Sequence, residues 1–148
     1  MIILDTNVIS EPLRPSPDPK VIEWLDDQDP SRLFVTAITQ AEMEYGLWSM
    51  PNGKKRANLH NAITELFEVD FRGRILPFDT MAALMYGGHI STARQSGKAV
   101  SDMDGMIAAI AISNNRCPVA TRDTSPYLAM KVEVINPWDS STLHGLKG

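Results

Sequence analysis

Asp5, Glu42, Asp104 and Asp123 come from four separate stretches: LDTN at 4–7, TQAE at 39–42, SDMD at 101–104 and ATRD at 120–123. Four carboxylates within a few ångströms repel one another, and some stay protonated at neutral pH unless something compensates them. A hard divalent cation does so, and oxygen-only donors suit Mg2+ or Mn2+. Such a centre would bind phosphate through the metal, lower the pKa of a bound water and stabilise a phosphorane-like transition state. The chemistry that follows is hydrolysis of a phosphodiester.

The acids can meet only if the elements carrying them share an edge. Ile2 to Leu4 is a short apolar run, as expected of a strand buried on both faces. Asp18-Pro19 reads as a cap with proline at the first helical position, ahead of the apolar stripe Val21, Ile22, Trp24 and Leu25. Leu33-Phe34-Val35 is a second strand, after which Thr39 starts a helix with Met43 and Leu47 inward. Pro51-Asn52-Gly53 breaks the chain before a helix over roughly 57–68. Residues 75–78 read as a short strand or link, and Asp79 caps a helix that Gly87-Gly88 weakens. Ser101 opens a helix with core MIAAIAI ending near Asn115, and strands follow at 118–121 and 132–135.

Strands alternating with helices, in runs without period-two alternation, predict an α/β domain with a mainly parallel sheet. Ligands bind such sheets at the C-terminal strand edge. Asp5 ends the first strand, Glu42 falls in the first turn of the helix after the second, and Asp123 follows the strand PVAT. Asp104 heads a helix that feeds this strand and so begins at the same edge. Ile107, Ala108 and Ala111 lie three, four and seven positions on, which puts Asp104 on the stripe that packs against the sheet.

Each acid alone has a plainer reading. Thr39-x-x-Glu42 and Ser101-x-x-Asp104 match the capping-box pattern, Asp5 could cap a turn, and Asp123 could pair with Arg122. Independent capping does not require all four to reach one edge. Asp102 points to another helical face and reads as a dipole-stabilising or supporting residue.

Composition narrows the classes. A chain of 148 residues with net charge −4 and an ordinary charged fraction is one folded domain, expected over 1–139 with a polar tail at 140–148. The charge argues against a basic coat for duplex binding. Cys117 is the only cysteine, so neither a disulfide framework nor a cysteine zinc site can form within the chain, and it reads as a small core residue. There is no signal peptide pattern, and the longest apolar run, 106–112, is too short for a bilayer, so the protein reads as cytoplasmic. His60, His89 and His144 lack metal-type spacing, and no serine or cysteine has an evident histidine partner. Lys54, Lys55 and Arg56, with Arg72 and Arg74 further on, are candidates for contacting a phosphate backbone; a solvated helix start explains the run as well. Tyr45 and Trp48 could stack on a base, with core or dimer packing as the ordinary alternative.

LDTNVISEPLRP, ITQAEMEYGL, DGMIAAIAI and ATRD, in this order, resemble the PIN domain and specifically the toxins of bacterial VapBC-type modules. The likeness runs from Met1 to about Asp139, and NGKKR, GRILPFD, ATRDT and VINPW resemble the FitB-like branch. It implies a three-layer α/β/α sandwich with a mainly parallel central sheet, usually dimeric, that cleaves RNA with Mg2+ or Mn2+. The family's acidic positions fall on Asp5, Glu42, Asp104 and Asp123, with Asp5, Asp104 and Asp123 as direct metal ligands and Glu42 completing the shell or positioning water. Its small polar residues fall on Thr6, Asn7 and Thr121. The resemblance further implies a VapB- or FitA-like antitoxin, which often places an arginine near the acids and supplies DNA binding. The FitB-like branch is best known in a DNA-binding complex, so a regulatory subunit with weak or no catalysis is the alternative to a type II toxin ribonuclease. A haloacid-dehalogenase-type phosphatase fits poorly, because Asn7 stands where its second acid belongs.

Overall fold

The computed structural model of the protein describes residues 1–139; the expected tail at 140–148, with His144, lies outside the described residues. Five short strands, β1 (Ile2–Leu4), β2 (Leu33–Thr36), β3 (Ile75–Leu76), β4 (Val119–Ala120) and β5 (Val134–Ile135), form one sheet in the order β3-β2-β1-β4-β5. Every pairing is parallel, with Ile3 opposite both Phe34 and Val119. β1 is therefore central, which explains its wholly apolar sequence. Alternation sends Ile2 and Leu4 to one face and Ile3 to the other.

Helices cover both faces, giving the three-layer α/β/α sandwich. One layer holds α1 (Thr6–Ser10), α2 (Pro19–Asp26), α3 (Ala37–Trp48) and α4 (Lys54–Glu65), which bury Val8, Val21, Trp24, Met43, Leu47 and Ile63. The other holds α5 (Thr80–Gln95), α6 (Asp102–Ser113) and α7 (Ser125–Ala129), with Ile90, Ile107, Ala108, Ile110 and Tyr127 inside. Each buried Ile or Leu side chain contributes about 1.5–3 kcal/mol. α6 is buried on nearly all sides from Ile107 to Ile112, because α5 packs over its outer face.

The close approach of α5 to α6 depends on Gly105. A Cβ there would lie 2.6 Å from Ile90 Cδ1 and 3.1 Å from Tyr86 Cε2. Contact with α6 also carries α5 through Gly87-Gly88 without a break: the helix runs sixteen residues, where local propensity predicts weakening.

Local caps form where short-range chemistry directs them. Asp18 accepts from the Lys20 amide with Pro19 opening α2, Asp79 accepts from Ala82, and Ser101 from Asp104. Elsewhere the boundaries move. α3 begins at Ala37, since Thr36 at the end of β2 accepts from the Thr39 amide; Thr39 is itself the third helical residue. Glu42 thus lies in the second turn, and the expected capping box at Thr39-x-x-Glu42 does not form. α4 starts directly after Gly53 and closes in a wider turn at Leu66–Asp70, where the Phe71 amide bonds to the Leu66 carbonyl at 2.9 Å. Arg74 is committed internally: its guanidinium donates to the carbonyls of Pro30 and Leu33 at 2.6 Å each and of Asp70, and lies over the Phe71 ring. It joins three segments and is not free to hold phosphate. Among the described residues no helix is long and apolar enough to cross a membrane.

Candidate active site

At the C-terminal edge of β1, Asp5 is only 5% exposed. One carboxylate oxygen accepts from the Thr6 amide at 2.8 Å, capping α1, and the other accepts from the Thr121 hydroxyl at 2.8 Å. The capping reading of Asp5 is thus correct as far as it goes, but it occupies only one oxygen. Thr121, fully buried just after β4, is a hub. Its oxygen also receives the Asp123 amide at 3.1 Å and the Asn7 side-chain amide at 3.3 Å. Asn7 in turn accepts from the Arg122 amide at 3.2 Å, so it ties α1 to the loop after β4.

Thr6 performs the matching task toward α3. Its hydroxyl lies 3.2 Å from Glu42 Oε1 and 3.1 Å from Thr39 Oγ1. With one proton and a carboxylate as the stronger acceptor, Thr6 donates to Glu42 and accepts from Thr39. Asp104 is half-buried in the first turn of α6, its amide bonded to Ser101 Oγ at 3.1 Å.

Asp5, Glu42 and Asp104 lie near enough to act on one another's charge. Burial pushes the Asp5 carboxyl above the ordinary aspartate range; the Thr121 and Thr6 hydrogen bonds oppose this, and the charge of Asp104 adds to it. Burial likewise raises Glu42, with the charges of Asp5 and Asp104 adding and the Thr6 hydrogen bond opposing. Asp5, Glu42 and Asp104, from three elements, thus crowd one another, as the shared-edge placement requires. Among the described residues, no three His, Cys, Asp or Glu side chains are drawn into a metal-ligand shell.

Asp123 stands apart. It is exposed, its carboxylate accepts from Ser125 Oγ at 3.3 Å, and it is not among the charges acting on Asp5 or Glu42. Arg122 does not pair with it; the guanidinium lies 5.2 Å from the Trp138 ring centroid. Asp102 faces away from the site, bonded to Arg94 at 2.9 Å and to the Tyr86 hydroxyl at 3.2 Å, and this pairing with Arg94 and Tyr86 lowers its carboxyl pKa. Cys117 is buried, which raises its thiol and leaves it unsuited to act as a nucleophile.

The basic run divides. Lys54 and Lys55 are exposed in the first turn of α4, whereas Arg56 bonds to Asn52 at 3.0 Å and lies 5.3 Å from the Trp48 ring centroid. Tyr45 and Trp48 are 77% and 59% exposed, so packing in the chain's own core does not account for them. Trp48 also meets the ring of His60 and donates to Glu44. His89 is held by the Met85 carbonyl and by Arg116.

Two polar residues of the site escape a reading by motif. Thr39 is a buried bridge between Thr6 and Thr36, not the start of a helix. Tyr127 is fully buried in α7; its hydroxyl lies close enough to Asp5 to favour the charged carboxylate, yet falls short of full hydrogen-bonding geometry to it.

A PIN domain model matches residues 2–129 of the chain. The chain is 44% identical over 139 residues to the VapC ribonuclease Y4jK of Sinorhizobium fredii, covering 94% of this chain and 99% of that protein. It is 46% identical over 138 residues to the toxin FitB of Neisseria gonorrhoeae, covering 93% and 99%. A solved structure of FitAB bound to the IR36 DNA fragment superimposes with a TM-score of 0.88 at 46% identity, over 94% of this chain and 96% of that one.

Proposed function

Because the chain belongs to the PIN-domain family, we propose that it is the toxin of a type II toxin–antitoxin module, a Mg2+- or Mn2+-dependent endoribonuclease. The observation that carries this reading is the mutual crowding of Asp5, Glu42 and Asp104 at one sheet edge, two of them with raised proton affinity. Likeness to a VapC ribonuclease and to the toxin FitB supports it.

The donor set fits a hard cation. It offers carboxylate oxygens without thiolate or imidazole, and the repulsion among its members is what a cation relieves. Asp5, Asp104 and Asp123 would hold the ion, with Glu42 completing the set or positioning water. When bound, it supplies charge compensation and Lewis acidity for phosphodiester hydrolysis. Thr121 fixes the Asp5 carboxylate, Asn7 fixes the loop bearing Thr121, and Thr6 aims Glu42. A carboxylate with raised proton affinity is a better acceptor for the proton of an attacking water, and Glu42 has that property.

Lys54 and Lys55 are the proposed contacts to the RNA backbone. Cations in the first turn of a helix oppose its dipole, so their position is unfavourable for the helix alone. Arg56, occupied by Asn52 and Trp48, has a smaller part. We further infer a homodimer, a FitA- or VapB-like antitoxin partner that provides any DNA contact, and a cytoplasmic setting.

The test is cleavage of an RNA pool with and without Mg2+, using the wild type and Asp5→Asn. Loss of cleavage in the variant and in excess chelator supports the reading; an undiminished rate in either sinks it. The second reading, a regulatory subunit whose acids receive a partner's arginine, draws on the likeness to a complex solved on DNA. Co-purification with a small basic partner, and no cleavage after that partner is stripped away, would favour it.

A further inference from the structure

Two buried polar side-chain atoms lack a hydrogen-bond partner among the described residues: Trp24 Nε1 and the Tyr127 hydroxyl. Their settings differ. Trp24 packs with Val21, Leu47 and other apolar residues in the α1–α4 layer. No other natural side chain supplies an indole's bulk without its N–H, so an unpartnered nitrogen accompanies the packing choice. Tyr127 has an apolar twin in phenylalanine, and its oxygen is therefore the part that packing does not explain.

That oxygen sits where the proposed chemistry is. α7 begins just beyond the loop that follows β4, and Tyr127 packs with Ile3 and Val119 under the acid-bearing edge. Its hydroxyl feels Asp5, Asp104 and Glu42 together, the same acids that crowd one another. Each Asp5 oxygen already has a donor, from Thr6 and from Thr121. The phenol is thus a buried donor beside the acid pocket: it helps to hold the charge of Asp5, but no protein acceptor meets it in full hydrogen-bonding geometry.

We propose that Tyr127 is a positioning residue of this pocket, its hydroxyl held to donate to an oxygen of the reacting system that arrives beside Asp5, Glu42 and Asp104. That oxygen belongs to the attacking water or to the scissile phosphate. The proposal rests on the nuclease reading above and adds a neutral donor to a set otherwise made of acceptors. A donor serves either oxygen, because both carry negative charge as the reaction proceeds.

The experiment compares wild type and Tyr127→Phe in RNA cleavage and in chemical denaturation. The variant is expected to fold with equal or greater stability, since an unpartnered buried polar atom is removed. Its kcat/KM is expected to fall about tenfold, in the range for losing one hydrogen bond to a charged group. A fall in kcat identifies a contact that strengthens in the transition state, and a rise confined to KM identifies a contact already made to the bound phosphate; either supports the proposal. An unchanged kcat/KM beside an active wild type overturns the role of Tyr127 and leaves the nuclease reading standing. Earlier unfolding of the variant also overturns it, because the hydroxyl then has a partner in the fold itself. A wild type that cuts no RNA removes the nuclease reading, and with it this role for Tyr127, whatever the denaturation curves show.

Discussion

The hydroxyl of Thr121 donates to Oδ2 of Asp5 at 2.8 Å, across a sequence separation of 116 residues. This contact joins the end of β4 to the end of β1 and fixes the carboxylate plane. Thr121→Val keeps the shape but removes the donor to Asp5 and the acceptor for the Asp123 and Asn7 amides. A loss of about 1–3 kcal/mol in folding stability is expected, read by urea denaturation. RNA cleavage in the same variant should fall, because Asp5 is then held only through the Thr6 amide.

Asp5→Asn separates stability from activity. Folding holds a proton on Asp5 more tightly than the unfolded chain does, whose ordinary value is 3.8. The folded state therefore binds more protons between 3.8 and the raised value. This contribution is fully present below 3.8 and is lost as pH rises through the folded value. At neutral pH the wild type keeps a buried charge that asparagine, also a good helix cap, lacks. Asparagine has one acceptor oxygen, so it cannot take both the Thr6 amide and the Thr121 hydroxyl. The pH dependence is the cleaner readout: the variant is expected to give a flatter pH–stability curve than wild type above pH 4. Denaturation midpoints from pH 3 to 8 check this; a variant whose curve falls as steeply as that of wild type would refute the assignment of raised proton affinity to that carboxylate.

Asp102 and Asp104 stand two residues apart, but their partners differ. Asp102 is tied to Arg94 and Tyr86, while Asp104 acts on Asp5 and Glu42. Asp104→Asn is expected to abolish cleavage and Asp102→Asn to retain most of it. The reverse ranking in a cleavage assay would move the ligand to Asp102.

Gly105→Ala brings a methyl group 2.6 Å from Ile90 Cδ1. The expected outcome is a loss of about 1–3 kcal/mol, the usual range for overpacking. Ile90→Val in the same chain removes that Cδ1 atom and should recover part of it. A double-mutant cycle by thermal melting tests the coupling; simple additivity would show that any cost of Gly105→Ala does not come from the Ile90 contact.

For the paired change Lys54→Glu and Lys55→Glu, opposite signs are expected. Acids in the first turn of α4 favour the helix dipole and should stabilise it by about 0.3–1 kcal/mol each at low salt. RNA binding should weaken, with a shallower dependence on salt. Titrations of catalytically silent Asp5→Asn protein at several salt concentrations provide the measurement, and an unchanged slope would place the RNA elsewhere.

What could be read before folding was whatever depends on neighbours in the chain. Asp18, Asp79 and Ser101 cap where they stand because a cap needs only the next three residues. The shared edge of Asp5, Glu42 and Asp104 was legible from strand order, since parallel topology fixes which ends coincide. Contacts over long separations were not. Arg74 reads as a surface cation until the carbonyls of Pro30 and Leu33 arrive from more than forty positions away. α7 spans five residues, too few to show a periodicity, so Tyr127 had no pattern to announce it. Gly87-Gly88 argued against a helix that contact with α6 then imposed. The side chain of Asp123 turned to Ser125, a local alternative that strand order cannot weigh.

The central place of β1 also governs when the pocket can exist. Its first acid emerges at the start of synthesis, but the strand lies between β2 and β4, and the hydroxyl that steadies Asp5 follows 116 residues later. At roughly 5–20 residues per second, the ribosome releases Asp5 many seconds before Thr121. Until then the acid edge has no β4 beside it and no α7 beneath it. On the nuclease reading proposed above, the nascent chain therefore lacks a completed pocket until most of it has left the ribosome.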